Sequence, residues 1–138
     1  MIGLDTNVLA RYYVDDAADI EATRQRLAAK RLIESGRALM VATTVLLEFE
    51  WVLRGYYEFS RKQIAAAFEH LLALPHVSVQ HDATVRAALV SYGDGFDFAD
   101  ALHHASYAEC ESVATFDDKG FARKANKGAI LPRVSVPQ

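Results

Sequence analysis

The chain has 138 residues, 51% of them hydrophobic and 24% charged, with only seven glycines and three prolines. That composition excludes a disordered, collagenous or low-complexity chain and predicts one ordinary domain over residues 1–138, large enough to bury a core without staples. The net charge of −3 excludes a chain that is basic throughout, and the single Cys110 excludes an internal disulfide or a zinc site built from several cysteines.

The N-terminus lacks a basic head and Asp5 interrupts the first apolar stretch, so no signal peptide is expected. The longest apolar runs, Ala38–Ala42 and Ile64–Phe68, fall far short of the roughly 20 residues of a membrane span. The expectation is a reduced, soluble, cytoplasmic protein that does not enter a membrane.

Short apolar strands alternate with amphipathic helices. Met1–Leu4 predicts a first strand, running into Asp5-Thr6-Asn7, a turn and helix-cap signal. A long helix is expected over Asp16–Glu34, stopped by Gly36, and a second strand over Ala38–Ala42. Thr43 or Thr44 is placed to cap a helix whose Val45, Leu46, Phe49, Val52 and Leu53 share a face and which stops near Gly55. Ser60 opens another helix, with Ile64, Phe68, Leu71 and Leu72 aligned and Pro75 just beyond its end. His76–Gln80 alternates valines with polar residues, as a strand does.

Val85, Ala88, Leu89 and Tyr92 mark a helix ended by Gly93; Phe98–Glu109 predicts a further one. Ser112–Phe116 reads as the fourth strand, Asp117-Asp118 opens a short helix ending near Gly128, and Ala129–Leu131 is expected as a fifth strand. Strand–helix alternation of this kind predicts an α/β fold, a three-layer sandwich with a central, mainly parallel sheet of about five strands and helices on both faces.

Ligands of such sheets sit at the carboxyl ends of the strands. Asp5 follows the first strand, Asp117 and Asp118 follow the fourth, Asp97 and Asp100 open a helix three residues apart, and Glu48 and Glu50 lie on the apolar helix after the second strand. Each has a structural alternative: Asp5 as a helix cap, Asp97 or Asp100 as complements to a helix dipole, Asp117 as the start of an Asx-turn, Glu48 as the partner of a buried arginine. Convergence at one sheet edge is what those alternatives leave unexplained. Two carboxylates about 5 Å apart repel by roughly 3 kcal/mol at an effective dielectric near 20, which a proton or a cation relieves. Oxygen donors without histidine or cysteine favour Mg²⁺, with Mn²⁺ as a substitute, and suit metal-assisted hydrolysis of a phosphodiester.

From Lys119 onward the chain carries five cations and no Asp or Glu, a local candidate for a phosphate partner or else a solvated helix face. Candidate RNA contacts are Arg11, Arg54, Arg61, Lys62, Lys119, Arg123 and Lys124. Tyr12, Tyr13, Trp51, Tyr56 and Tyr57 are expected as core or dimer contacts or as part of a groove for a partner.

Four stretches together resemble the PIN-domain ribonucleases, specifically the VapC-type toxins of bacterial toxin–antitoxin pairs. Met1-Ile2-Gly3-Leu4-Asp5-Thr6-Asn7-Val8-Leu9 is similar to the family's opening strand, and Leu46-Leu47-Glu48-Phe49-Glu50-Trp51 to its second motif. Asp97-Phe98-Ala99-Asp100-Ala101-Leu102 resembles the third motif and Thr115-Phe116-Asp117-Asp118-Lys119-Gly120-Phe121 the fourth. The resemblance covers essentially the whole chain.

It implies catalytic positions at Asp5, Glu48, Asp100 and Asp117, with Asp5, Asp100 and Asp117 holding Mg²⁺ and Thr6, Asp97 and Thr115 in support. Composition does not choose between Glu48 and Glu50; only the spacing to Trp51 favours Glu48. Asp97 competes with Asp100, and Asp118 is a lesser alternative to Asp117. His103, one turn beyond Asp100, is assigned no catalytic role. The resemblance further implies cleavage of RNA to a 5′-phosphate and a 3′-hydroxyl, a homodimer, and inhibition by an antitoxin protein.

An aspartyl-phosphate protein is disfavoured, because Asn7 stands where the dehalogenase pattern wants a second aspartate and Lys119 comes too late for a receiver domain. An RNA-processing PIN nuclease without an antitoxin and a non-catalytic binding module of the same fold are the remaining alternatives.

Overall fold

The computed structural model describes residues 1–138. The chain forms two compact units, Met1–Asp82 and Ala83–Gln138.

The first unit is built on three parallel strands, β1 (Ile2–Gly3), β2 (Leu39–Val41) and β3 (Val77–Val79), in the order β1-β2-β3. Ile2 pairs with Leu39, and Leu39 in turn with Val77. Parallel neighbours need long crossovers, supplied here by α1 (Thr6–Tyr13) with α2 (Ile20–Ile33), and then by α3 (Thr43–Gly55) with α4 (Arg61–Ala73). Ser60 and Gln63 close a capping box at the head of α4: each side chain accepts a hydrogen bond from the other residue's backbone N–H, at 3.1 and 2.8 Å. Leu9, Ile33, Leu39, Leu46, Phe49, Leu53, Ile64, Phe68 and Leu71 are fully buried, with Phe49 and Phe68 stacked at 5.6 Å.

Two local expectations are revised here and a third is met. The long helix begins at Ile20 rather than Asp16, capped by Asp19, whose carboxylate accepts from the N–H groups of Glu21 and Ala22. A separate helix, α1, follows directly on the Asp5 cap. Neither Thr43 nor Thr44 caps α3; Ala42 holds the cap position, and the free donors of Thr43 are met across the unit by Gln80, its N–H by the side-chain oxygen at 3.0 Å and its hydroxyl by the carbonyl at 3.1 Å.

The second unit contains α5 (Asp82–Gly93), whose first residue closes the first unit, α6 (Phe98–Ser106), β4 (Ser112–Ala114), a π-helical turn over Asp118–Ala122, α7 (Arg123–Lys127) and β5 (Arg133–Ser135). Strands β4 and β5 run parallel, Val113 opposite Val134. The fifth strand thus lies at Arg133–Ser135 and not at Ala129–Leu131. Residues 129–130 are still leaving α7: Ala129 has φ +53° and the Ile130 N–H bonds back to the Ala125 carbonyl. Pro132 brings no N–H to a ladder, so pairing begins beyond it. Helix α6 stops at Ser106 rather than Glu109, with the Ser106 hydroxyl donating to the Leu102 carbonyl at 2.7 Å.

The α/β class with parallel strands is as the alternation predicts, but the strands pair as three and two. No helix is long and apolar enough to cross a membrane.

Candidate active site

Each unit carries an acidic cleft. In the first, Asp5 lies just past β1 and caps α1, its carboxylate accepting from the Thr6 N–H at 2.8 Å. The cap role and an exposed carboxylate coexist, because a cap uses one oxygen and leaves the other. Asp5, Thr6, Asn7, Arg11, Glu48 and Tyr57 are among the residues lining a cleft of about 260 Å³. Thr6 is buried, and its hydroxyl has no hydrogen-bond partner. A buried hydroxyl normally has one, so this oxygen stands ready for a water or ligand.

The two glutamates of α3 part company. Glu48 is exposed and lines the cleft. Glu50, two residues on, points to the opposite side of the helix, where it is 3% exposed and bonded to Arg54 Nε at 2.9 Å. An ionised carboxylate taken from water needs such a partner. It is therefore Glu50, not Glu48, that has the arginine, and Arg54 is engaged within its own helix.

In the second unit Asp97, Asp100, Asp117, Lys119, Arg123, Lys124 and Lys127 lie among the lining residues of an open cleft of about 520 Å³. Asp97 caps α6 through the Asp100 N–H at 3.1 Å. Asp117 caps the π-helical turn, one oxygen accepting from Gly120 N at 3.0 Å and the other from Phe121 N at 3.2 Å. The Thr115 hydroxyl accepts from Asp117 N at 3.1 Å, fixing that residue from behind. Gly120 has no Cβ for a reason: one placed there would stand 2.6 Å from an Asp117 oxygen.

Asp100 is the electrostatic focus. Burial, then the charges of Asp97 and Asp117, push its carboxyl above the ordinary 3.8, while His103 pulls the other way. Lys124 bonds the Gly95 carbonyl at 2.7 Å and lies 5.5 Å from the centre of the Phe96 ring, tying α7 to the loop that leads into Asp97. Lys119 and Arg123 are exposed. His103 is exposed, whereas His104 is buried and bonded to the Pro132 carbonyl at 2.7 Å.

The aromatic residues serve different ends. Tyr12 donates to Glu34 at 2.9 Å and Tyr13 bonds His70 at 2.8 Å, in a cavity of about 430 Å³ within the first unit. Trp51 and Tyr56 are exposed, and Tyr57 lines the Asp5–Glu48 cleft. Gln25 and Gly120 are not among the residues the sequence singles out. Gln25 meets Arg11 from 14 residues away, a pairing with no sequence signal. Gly120 had one: a glycine three residues after a capping aspartate.

The second cleft offers carboxylate oxygens and no sulfur or imidazole, the donor type of a hard divalent cation. Burial and then the neighbouring charges raise Asp100, and a cation relieves the second of these. No three His, Cys, Asp or Glu side chains are gathered as a ready metal-binding group.

Parallel strands with carboxylates near their carboxyl ends and cations beside them define a protein suited to phosphodiester chemistry. The PIN domain family model matches residues 2–127, and the chain belongs to that family, whose members are generally metal-dependent nucleases. No curated protein matches the chain.

Proposed function

We propose that the chain is a metal-dependent endoribonuclease, with Asp5, Glu48, Asp100 and Asp117 as its working carboxylates. The observation that carries this reading is the cleft that gathers Asp97, Asp100 and Asp117 with Lys119, Arg123, Lys124 and Lys127; the raised Asp100 carboxyl is in keeping with it. Negative charge held together beside cations suits a metal ion and a phosphate chain better than either alone.

In the second cleft Asp100 and Asp117 would hold the cation, Mg²⁺ or in its place Mn²⁺, and the motif resemblance assigns Asp5 the same task. When bound, such an ion lowers the pKa of a water and offsets charge on the phosphate. Glu48, exposed and without an ion pair, takes the proton of the attacking water. Asp97 and Thr115 hold the backbone of Asp100 and Asp117 in place, and Thr6 offers its unpartnered hydroxyl. Lys119 and Arg123 meet RNA phosphates.

The finer reading is a toxin of a toxin–antitoxin pair. It acts in the cytoplasm as a homodimer, it cuts RNA to a 5′-phosphate and a 3′-hydroxyl, and a cognate antitoxin protein silences it. The four motifs named above support that reading.

Purified protein incubated with total RNA should produce discrete new 5′ ends with Mg²⁺ and none with EDTA. Asp5→Asn and Asp100→Asn should each cut at least about 100-fold more slowly, beyond the loss typical of a residue that only supports a metal ligand. Undiminished cutting in both variants, or none by the folded wild type, overturns the proposal.

A further inference from the structure

The cleft around Asp5 and Glu48 contains one cation, Arg11. Its guanidinium is held by two neutral acceptors from different elements. Nε donates to the Gln25 side-chain oxygen on α2 at 2.8 Å, and Nη1 donates to the Tyr57 hydroxyl just past α3 at 3.2 Å. Gln25 is itself oriented, its amide nitrogen donating to Glu21 at 3.4 Å, which turns its oxygen toward Arg11.

Arginines nearby are used differently. Arg24, Arg26 and Arg54 each pair with a carboxylate. Arg11 shares its cleft with two carboxylates yet forms no ion pair with either. If its purpose were to balance Asp5 or Glu48, it would be bonded to one of them. A guanidinium has five N–H donors, so after these two bonds three remain, including both on Nη2. Its charge is unspent and its plane is already fixed, so little ordering entropy is left to lose when an anion arrives.

We infer that Arg11 is a phosphate-binding subsite for single-stranded RNA and that Gln25 and Tyr57 are positioning residues that hold it. The inference rests on the nuclease reading and names how the first unit takes its substrate. Planar, paired N–H groups match the oxygens of a phosphodiester. Arg11 lies six residues beyond the Asp5 cap, about 9 Å along the helix axis at 1.5 Å per residue. Its task is therefore to hold the strand beside the reacting phosphate, which shows in KM rather than kcat.

The test measures Kd for a short fluorescent single-stranded RNA across a salt series, with Ca²⁺ replacing Mg²⁺ to prevent cutting, and then kcat and KM with Mg²⁺. Arg11→Gln should bind about tenfold more weakly, and the slope of log Kd against log salt should fall by about 0.7, the value of one phosphate contact on a single strand. Arg11→Lys should restore the slope, since it restores the charge. Tyr57→Phe should weaken binding less, raise KM and leave the slope in place. Arg37→Gln, an exposed cation elsewhere on the unit, should change neither.

A slope unchanged in Arg11→Gln, with only a lower melting temperature, would show that Arg11 merely ties helices together and overturns the inference. Should Arg11→Gln not fold, Tyr57→Phe decides: an unchanged KM overturns it. Wild-type protein that neither binds the strand nor cuts RNA removes the nuclease reading and this one together. Wild-type cutting with an Arg11-independent slope removes this one alone.

Discussion

Asp100 sits where its charge is least welcome. Desolvation and the neighbouring Asp97 and Asp117 raise its carboxyl above 3.8 in the folded chain. The folded state therefore holds this proton more tightly than the unfolded state does. The stabilisation from that difference is complete below pH 3.8 and is lost as pH rises through the raised value. At neutral pH the ionised group strains the fold, so Asp100→Asn should melt higher than wild type in EDTA. Below the ordinary carboxylate range the two curves should coincide. An asparagine variant that melts lower at neutral pH would show that the carboxylate is not strained. Stability and activity then move in opposite directions at one residue, as expected where a charge cluster is kept for chemistry. Resemblance implied Asp100 as the catalytic position and Asp97 as its support. The structure adds that Asp97 is the helix cap, bonded to the Asp100 N–H, and Asp100 the half-buried neighbour.

At the scale of the element, the π-helical turn after β4 is a device for holding one carboxylate. Each Asp117 oxygen accepts one backbone N–H and keeps a further lone pair, and Gly120 leaves them the room. In Gly120→Ala the new Cβ would stand 2.6 and 2.8 Å from those oxygens. The obstacle is the far end of a flexible side chain, so the carboxylate swings away and the backbone stays. The cost to stability should be that of a lost cap, about 1 kcal/mol. Activity should fall much further, on the order of 100-fold, because a displacement near 1 Å is enough for that. Urea denaturation beside a cleavage assay separates the two; an active Gly120→Ala protein would mean that the position of Asp117 does not matter. Lys124 belongs to the same scale. Counted among the RNA contacts from sequence, it also bonds the Gly95 carbonyl and lies by the Phe96 ring.

The whole molecule rests on apolar packing that alternates with these polar devices. Phe49 is fully buried and stacked on Phe68, in the same helix turn that presents Glu48 to the cleft. Phe49→Ala should cost about 3–5 kcal/mol, as large-to-small core changes do. A urea midpoint shift worth under about 1 kcal/mol would show that the site collapses around the gap. The helix periodicity of α3 named Phe49 and Leu53 as core, and both are. Periodicity was silent on the glutamates, since Glu48 and Glu50 differ only in which side of the helix meets Arg54 and the cleft. The fifth strand was misplaced for a similar reason: Ala129–Leu131 is apolar enough for a strand, but the positive φ at Ala129 and the return bond to Ala125 belong to the end of α7.

What the sequence by itself determined was the order of the parts. Strand–helix alternation, Asp5 and Asp117 beyond their strands, and Asp97 and Asp100 at a helix start all depend on residues within one turn of each other. Only the tertiary structure decided which polar groups are spent and which are left. Arg11 meets partners 14 and 46 residues away, and Lys124 reaches back 29 residues to Gly95. Such pairings depend on how helices come to lie against one another, and that is settled by the burial of side chains far apart in the chain, which no local spacing records.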